Sequence, residues 1–324
     1  MSKKTRLMLS IAAVCVGILV ISVLWLLLRG SPSEVTFFLI SDTHYGVSDT
    51  VARANRQTIR AMTILPGNPY PPDIGEGWIR PPRGVVVLGD LVEDGGGESG
   101  EEQWRSFAAD FGVNGEGLLR HPVYEGFGNH DGGAEHPVRS GIRERNLRRS
   151  AVSNISSDGH HYSWDWEQVH FVQLNLFPGS RGEDIINPWG KTFEGSWKYP
   201  LHSLEFLQQD LAERVGESGR PVVLFQHYGW DEWGLGWWGE GERDRFHAVI
   251  KDYHIAAIFW GHSHQAQYIP WRGIPTFCVG SSQHDPSPGV FMVVRIRGDE
   301  MLVAEKTAEG WGLTQKIPLS RADE

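Results

Sequence analysis

Five short motifs in this chain end in side chains of the types that bind metal ions. Each motif follows an apolar run whose composition predicts a β-strand. Strand ends that bring carboxylate, imidazole and amide groups to one point form a cation site, and this many ligands predict two metal ions. The motifs are Asp42-Thr43-His44, Gly89-Asp90, Gly128-Asn129-His130-Asp131, His227 and Gly261-His262-Ser263-His264.

The spacing within the motifs places ligands on one side of the chain. Asp42 and His44 are two residues apart, so extended backbone can point both side chains the same way, and His262 and His264 repeat this spacing. Asp90 follows a glycine that permits close approach to a cation, and its two oxygens can bridge two metal ions. A single Asp or His after a strand is usually a turn or hydrogen-bonding residue, so it is the ordered set that indicates a metal site.

The ordered set resembles the calcineurin-like metallophosphoesterase superfamily from residue 35 to about residue 305. The resemblance implies a dinuclear metal-dependent phosphoester hydrolase built on a β-sandwich flanked by helices. The ligand types suit two divalent ions of Mn, Fe or Zn. The resemblance further implies that one ion is held by Asp42, His44, Asp90 and His264, and the other by Asp90, Asn129, His227 and His262, with Asp90 bridging.

His130 matches the histidine that contacts substrate in this family, and Asp131 would orient its imidazole. In the chemistry that the resemblance implies, a hydroxide shared by the two metal ions attacks phosphorus, and the ions neutralise the developing charge. The alkoxide leaving group then needs a proton, which a histidine with a pKa near neutrality can supply. His130 is therefore expected to be the acid or a phosphate contact, and the sequence leaves both roles open.

Two departures from family patterns narrow the prediction. Purple acid phosphatases carry a tyrosine where this chain has Glu93 and lack a histidine at the position of His44, so the resemblance is to the DxH branch without a ferric–tyrosinate centre. His227 is followed by Tyr228 rather than by the second histidine or proline of many relatives.

The four tryptophans of residues 230–238 either form an aromatic lip against substrate or membrane, or pack their own loop onto the domain.

The apolar pattern predicts an α/β (α+β) domain. Strands alternate with helices in the first half and cluster later, which favours two mixed β-sheets packed as a sandwich flanked by helices (α/β/β/α). Site residues are expected beyond the carboxyl ends of the strands, whereas His170 is expected to be structural and Asp94 to be a turn or supporting residue. The pattern predicts strands at 35–41, 84–88, 122–127, 221–225 and 255–260, a hairpin at 161–174, and helices at 50–65, 101–111 and 201–215.

Residues 7–28 contain no charged side chain and predict one transmembrane helix that precedes the domain. At about 1.5 Å per residue they reach roughly 33 Å, enough to cross a bilayer core. Lys3, Lys4 and Arg6 precede the span, so the positive-inside rule places residues 1–6 in the cytoplasm, the signal anchor at 7–28, the linker at 29–34 and an extracytoplasmic domain at 35–324. The alternative is a secreted protein released by signal cleavage, although this stretch is longer than a usual signal.

Charge excludes one class of partner. Residues 1–30 hold four of the 30 basic residues and none of the 40 acidic ones, which leaves 26 minus 40, or −14, for the rest of the chain. A domain this acidic is not expected to bind nucleic acid. The expected partners are a phosphoester substrate and the membrane. The rival functions are a phosphodiesterase, a nucleotide or phospholipid-headgroup hydrolase, and a non-catalytic metal-binding protein of the same fold.

Overall fold

The computed structural model describes residues 33–133, 136–179, 199–281 and 290–319, and Val35–Glu324 forms one compact unit. The strands are, in chain order, β1 (Glu34–Ile40), β2 (Val85–Val87), β3 (Val123–Glu125), β4 (Asn154–Ile155), β5 (Tyr162–Trp166), β6 (Val169–Gln173), β7 (Val222–Phe225), β8 (Ile255–Trp260), β9 (Gln267–Tyr268), β10 (Thr276–Cys278), β11 (Phe291–Arg297), β12 (Glu300–Lys306) and β13 (Trp311–Pro318). The α-helices are α1 (Asp49–Ile64), α2 (Gly97–Asp110), α3 (Pro137–Arg148), α4 (Ser203–Asp210, continued by a π-helical turn at Leu211–Val215), α5 (Glu232–Trp237) and α6 (Glu240–Ile250).

These strands form two mixed sheets. The first sheet has the order β13-β12-β11-β1-β2-β3, and the second has the order β4-β5-β6-β7-β8-β10-β9. β1, β2 and β3 run parallel, as do β6, β7, β8 and β10, whereas β11, β12 and β13 are antiparallel. The predicted sandwich of two mixed sheets with flanking helices is therefore what the structure has.

Alternation along β1 builds both layers of the core. The ring of Phe37 lies between the sheets, 5.4 Å from the ring of Phe171 and 6.2 Å from that of Phe225, centroid to centroid. Phe38 faces the other way, into a cluster that includes Ile59 of α1. Successive side chains of a strand point to opposite faces, so β1 packs on the second sheet and on the helical layer at once. Full burial of each ring contributes roughly 2 kcal/mol.

Helix α3 has no counterpart in the sequence prediction, because its buried face is partly polar. Its buried residues include Arg145 and Asn146 besides Val138 and Ile142. The Arg145 Nε donates to Oε1 of the fully buried Glu125 at 2.8 Å. A buried ion pair therefore takes the place of part of the apolar stripe by which an amphipathic helix is recognised.

Within the described ranges, no helix is long and apolar enough to span a bilayer. The predicted transmembrane segment at residues 7–28 lies outside those ranges. The anchor, its orientation and the alternative of signal cleavage therefore stay predictions.

Candidate metal centre

The predicted ligands follow strands that are neighbours within each sheet. In the first sheet, Asp42 and His44 follow β1, Asp90 follows β2, and residues 129–131 follow β3 as a 3-10 turn. In the second sheet, His227 follows β7 and residues 262–264 follow β8. Because the strands within each set are parallel, their carboxyl ends share one edge of the sheet.

Close backbone contact joins the two edges into one site. The His262 main-chain N donates to Asp42 Oδ2 at 3.1 Å, which ties the second sheet to the first. A Cβ on Gly261 would lie 2.0 Å from Ser41 Oγ, so this approach requires glycine. The end of β1 and the end of β8 are thereby held against each other.

All seven predicted metal ligands meet at this point. The ligand atoms of Asp42, His44 and His264 lie within 4.8 Å of one another, and so do those of Asp90, His227 and His262. The Asn129 Oδ1 lies 3.0 Å from His227 Nε2 and therefore belongs with the second group. A third group, His44, Asp90 and His130, overlaps with the first two, so the division into two metal positions stays what the family resemblance implies.

Asp90 lies between the two groups. Its Oδ2 is 3.7 Å from His44 Nε2 and 3.3 Å from His227 Nε2. Burial opposes the charged form of this carboxyl, but the neighbouring His227 outweighs it and lowers the pKa of Asp90 below its usual range. Asp90 is thus an anion in contact with both halves of the site, which is the arrangement that a bridging ligand needs.

The hydrogen bonds of His227 show that its site requires a positive charge. The Nδ1–H group is assigned as the donor to the Leu88 carbonyl oxygen at 2.7 Å, because a carbonyl only accepts. The Nε2 of the neutral ring is then an acceptor, yet it faces Asn129 Oδ1 and the Asp90 carboxylate. Burial disfavours protonation of His227, but Asp90 outweighs it and raises the pKa of His227 to about 9. A cation among these acceptors fits the donor set without that extra proton.

The first group, Asp42, His44 and His264, also brings together acceptor atoms that suit a cation. The His44 Nδ1–H donates to Glu93 Oε2 at 2.7 Å, which leaves His44 Nε2 as an acceptor. That nitrogen lies 3.3 Å from His264 Nε2, and His264 Nε2 lies 3.2 Å from Asp42 Oδ1. Two ring nitrogens that converge beside a buried carboxylate suit a shared cation, so this set of residues also fits a metal ion.

Backbone strain is concentrated at the ligands. A non-glycine residue rarely adopts a positive φ, and doing so costs on the order of 1–3 kcal/mol. The surrounding loop contacts stabilise this strained geometry, as in the hydrogen bond from His44 N to Asp90 O at 3.0 Å. Five of the seven predicted ligands are in this region: Asp42 (54°), His44 (41°), Asp90 (49°), His262 (70°) and His264 (61°).

His130 lies at the open side of the centre. Its side chain is 35% exposed, in contrast with the buried rings of His44 and His227. Its main-chain N donates to Asp90 Oδ1 at 2.8 Å, and its Nδ1–H donates to the Glu93 carbonyl oxygen at 2.8 Å. Burial opposes protonation of the ring, but the Asp90 and Glu93 oxygens outweigh it and raise the pKa of His130. The ring is fixed at Nδ1 and favours the proton-bearing form.

Asp131 does not orient the imidazole of His130, contrary to the sequence prediction. Its Oδ1 accepts from the main-chain N–H groups of Leu91 at 2.8 Å and Val92 at 3.1 Å, and its Oδ2 accepts from that of Gly128 at 2.7 Å. The carboxyl group is fully buried and already bonded to three donors. Asp131 therefore holds the loops after β2 and β3 together, while Glu93 holds the His130 ring.

The sequence analysis missed Asn175, which supports both sheets of the centre. Its Oδ1 accepts from Phe127 N at 3.1 Å, its carbonyl oxygen accepts from His227 N at 2.7 Å, and its Nδ2 donates to His161 Nδ1 at 2.8 Å. Like the ligands, Asn175 follows an apolar strand and has a positive φ, 62°. Its position directly after the apolar strand β6 was the feature of the sequence that could have identified it as a residue of the centre.

The tryptophan-rich segment is packed onto the domain. Trp230 and Trp237 are each 8% exposed, and Trp238 is fully buried. The ring of Trp230 lies 5.3 Å from that of Trp238 and 5.0 Å from that of Trp271, centroid to centroid. These three tryptophans therefore pack their own segment onto the domain.

Two residues outside the centre have the local roles that were expected of them. His170 is buried between Asp165, at 2.8 Å from Nδ1, and Asp210, at 2.7 Å from Nε2. The Asp94 Oδ1 accepts from Gly96 N at 3.1 Å within its own turn. Both side chains stabilise their own surroundings.

Comparison with known proteins assigns the family. The sequence model of the calcineurin-like phosphoesterase family matches residues 35–266, which is more than half of the chain. The chain belongs to the calcineurin-like phosphoesterase family. The segment matched contains all five ligand motifs, and family members typically bind two divalent metal ions. No curated protein sequence matches this chain.

Solved structures of known proteins share the fold. A dimetal phosphatase from Danio rerio superposes with a TM-score of 0.62 at 16% identity, over 88% of this chain and 99% of the other. GAP50, described as the anchor in the inner membrane complex of Plasmodium, superposes with a TM-score of 0.56 at 11% identity, over 90% of each chain. At these identities, the likeness shows the fold of this phosphoesterase domain.

Proposed function

We propose that this protein is a dinuclear metal-dependent phosphoester hydrolase. The observation that carries the proposal is the contact of Asp90 Oδ2 with both ligand groups, at 3.7 Å from His44 Nε2 and 3.3 Å from His227 Nε2. Two divalent ions of Mn, Fe or Zn would be held by Asp42, His44, Asp90, Asn129, His227, His262 and His264. Bound there, such ions supply Lewis acids and an activated water for displacement at phosphorus.

The protein's own contribution is to fix the ligand rings before any substrate arrives. Glu93 and the Leu88 carbonyl hold Nδ1 of His44 and His227, so each ring keeps its Nε2 lone pair toward the centre. Ligands fixed by such outer hydrogen bonds bind metal more tightly than free rings do. The buried walls around both rings also keep bulk water from competing for these bonds.

His130 is the proposed proton donor to the leaving group. Glu93 fixes the ring through Nδ1, so Nε2 is the ring nitrogen left for a substrate oxygen. The Asp90 and Glu93 oxygens raise the pKa of His130, which favours the protonated ring that can donate to a substrate oxygen. When the phosphorus–oxygen bond breaks, this proton would neutralise the departing alkoxide. In its alternative role, the same imidazolium binds a phosphoryl oxygen without transferring the proton.

We also propose that residues 7–28 anchor the domain in the cell membrane, with residues 35–324 on the extracytoplasmic side. The uncharged span and the basic residues before it support this placement. Mass mapping of the mature N-terminus decides between anchor and secreted protein: a chain that begins after Arg29 would replace the anchor with a cleaved signal.

A substrate panel tests the proposed hydrolase directly. Protein loaded in turn with Mn, Fe or Zn is assayed against aryl and alkyl phosphomonoesters, phosphodiesters, nucleotides and soluble phospholipid headgroups. We expect metal-dependent hydrolysis of at least one class, and the preferred class separates monoesterase from diesterase. Bound metal without hydrolysis of any ester would favour the rival, a non-catalytic metal-binding protein of the same fold.

A further inference from the structure

A groove that runs along α1 has an unusual charge for this acidic chain. The groove has a volume of about 670 Å³ and lies against the outer face of α1. Its described lining contains no acidic side chain, although the chain as a whole carries a net charge of −10. We call it the arginine groove, after the four arginines among its main lining residues: Arg53, Arg56, Arg60 and Arg120, with Ile64 and Leu118.

The topology fixes the place of this groove. β1, β2 and β3 are parallel, so all three begin at one edge of the sheet, and the metal ligands follow their other ends. Helix α1 starts beyond the carboxyl end of β1 and returns over about 24 Å toward the edge at which β2 begins. Leu118 and Arg120 lie just before β3. The groove therefore runs along α1 from Arg53, in the second turn, to Ile64 at the end of the helix, and its Ile64, Leu118 and Arg120 end is near the edge at which β1 begins.

Large apolar side chains are exposed beside these cations. Ile64 is 68% exposed and Leu118 is 47% exposed, and both line the groove. Trp78, in the loop from α1 to β2 and outside the lining, is 61% exposed. Arg56 is engaged with Asp110 at 3.1 Å, whereas the lining itself contains no carboxylate. Arginines interspersed with exposed apolar and aromatic side chains match the headgroup region of an anionic bilayer.

We propose that the arginine groove docks the domain on anionic lipid headgroups of a bilayer. The inference rests on the proposed membrane anchor, because only residues 29–33 separate the predicted span from β1. Five residues extend at most about 18 Å, so an anchored domain has its β1-start edge near the bilayer. Each arginine close to an anionic surface favours docking by about fivefold.

Docking at this end has a consequence for the substrate. The metal centre lies at the far end of β1, whose seven residues span about 23 Å. A domain docked through the Ile64, Leu118 and Arg120 end of the arginine groove therefore holds its metal centre away from the headgroups that it touches. This geometry favours a soluble phosphoester as the substrate over a headgroup of the same leaflet.

Two reporter positions at opposite ends of the domain test the proposal. The full chain, with Cys15 replaced by serine, is reconstituted into vesicles that contain headgroup-spin-labelled lipid, with either phosphatidylcholine alone or added phosphatidylglycerol. A fluorophore is attached at Ile64→Cys or, as the matched control, at Val47→Cys. Val47 is a 45% exposed apolar residue in the loop that follows the metal ligands of β1. Quenching by the spin label measures proximity to the headgroups.

We expect the excess of quenching at position 64 over position 47 to be larger in phosphatidylglycerol vesicles than in phosphatidylcholine vesicles, and to shrink in about 0.5 M salt because of screening. The triple variant Arg53→Glu, Arg60→Glu, Arg120→Glu should reduce the ratio of docked to undocked domain by at least about a hundredfold, while the triple lysine variant should retain docking. Equal quenching at both positions, or an excess at position 64 that is the same with and without anionic lipid, would overturn the proposal. Because the readout is proximity, docking is judged separately from catalysis, and far-UV circular dichroism confirms that each variant is folded.

Discussion

The Nδ1–H of His130 donates to the main-chain carbonyl oxygen of Glu93 at 2.8 Å, while the carboxylate of Glu93 accepts from His44. One residue thus fixes both a predicted metal ligand and the predicted acid. Because the bond to His130 comes from the main chain, side-chain substitution at position 93 leaves it in place. The role of His130 can therefore be tested separately from the metal ligand His44.

We expect His130→Asn to reduce activity on alkyl phosphates by about 100-fold to 10,000-fold, because an alkoxide leaves poorly without a proton. An aryl phosphate with a good leaving group needs little protonation, so its hydrolysis should fall much less. The measurement is kcat for a series of esters that differ in the pKa of the leaving alcohol. Equal losses across the series would assign His130 to phosphate binding instead.

Asp90→Asn should remove bound metal and hydrolysis of an aryl phosphate together. The amide keeps the shape of the side chain but loses the negative charge that both ligand groups contact. Loss of a residue that supports a ligand typically lowers metal affinity or activity by about 10-fold to 100-fold. We therefore expect loss of the ligand itself to lower both by at least about 100-fold. Metal content by mass spectrometry and initial rates check this.

The matched control is Asp94→Asn. The Asp94 side chain bonds only within its turn, to Gly96 N at 3.1 Å among the contacts described, and an asparagine can accept the same bond. This variant should keep its metal and its activity. If Asp90→Asn keeps full activity as well, the assignment of Asp90 as the bridging ligand is wrong.

The convergence of the seven predicted ligands was predictable from the sequence because its physical signal is local. Each ligand directly follows an apolar strand, and parallel neighbouring strands bring their carboxyl ends together. The fold class followed from the same alternation of strands and helices. The partners of Asp131 were not predictable, because they are main-chain groups of Leu91 and Val92, forty residues away along the chain.

Helix α3 and Asn175 were missed for related reasons. The buried face of α3 includes Arg145, whose partner Glu125 lies at the end of another element. Asn175 supports the ligands by bonds to Phe127 and His227, neither of which is near it in sequence. Polar groups whose partners are set by tertiary structure carry no periodic signal, so they appear only once the sheets are packed.

Gly128→Ala should destroy the centre through a steric effect. A Cβ on Gly128 would lie 2.1 Å from Asp90 N and 2.2 Å from Asp90 Oδ1. The φ of Gly128 is −115°, which any residue can adopt, so only the close contact forbids a side chain. We expect a loss of about 1–3 kcal/mol in the free energy of unfolding, together with loss of metal. Denaturant titration and metal content are the measurements.

Gly241→Ala is the control for that substitution. Gly241 is the second residue of α6, and its added Cβ would meet nothing closer than Arg245 Nη1 at 4.0 Å. Alanine in place of glycine stabilises a helix interior by about 0.5–1 kcal/mol, so in this first turn it should stabilise the protein by at most that amount. A normal metal content in Gly128→Ala would show that the loop after β3 can move without loss of the site.

The buried His161 predicts a loss of stability in acid. Its Nδ1 accepts from Asn175 Nδ2 and its Nε2–H donates to the Leu201 carbonyl oxygen, both at 2.8 Å, so the folded protein holds the neutral ring. Burial lowers the pKa of His161 from 6.5 to about 4. Between these two pH values the unfolded chain binds a proton at this residue that the folded chain does not bind. Stability from this residue is therefore complete above pH 6.5 and is lost as the pH falls toward 4.

The loss attributable to His161 is about 3 kcal/mol across this window, since each pKa unit corresponds to about 1.4 kcal/mol. His161→Gln should flatten the acid limb of the stability profile, because glutamine can accept and donate the same two bonds without titrating. His202→Gln, at a side chain that is 68% exposed and acts on His161 only through its charge, should change the limb much less. Unfolding free energies measured at intervals from pH 7.5 to pH 4 compare the three proteins. If His161→Gln loses stability in acid as steeply as the unmodified chain, the neutral ring of His161 is not the cause of that loss.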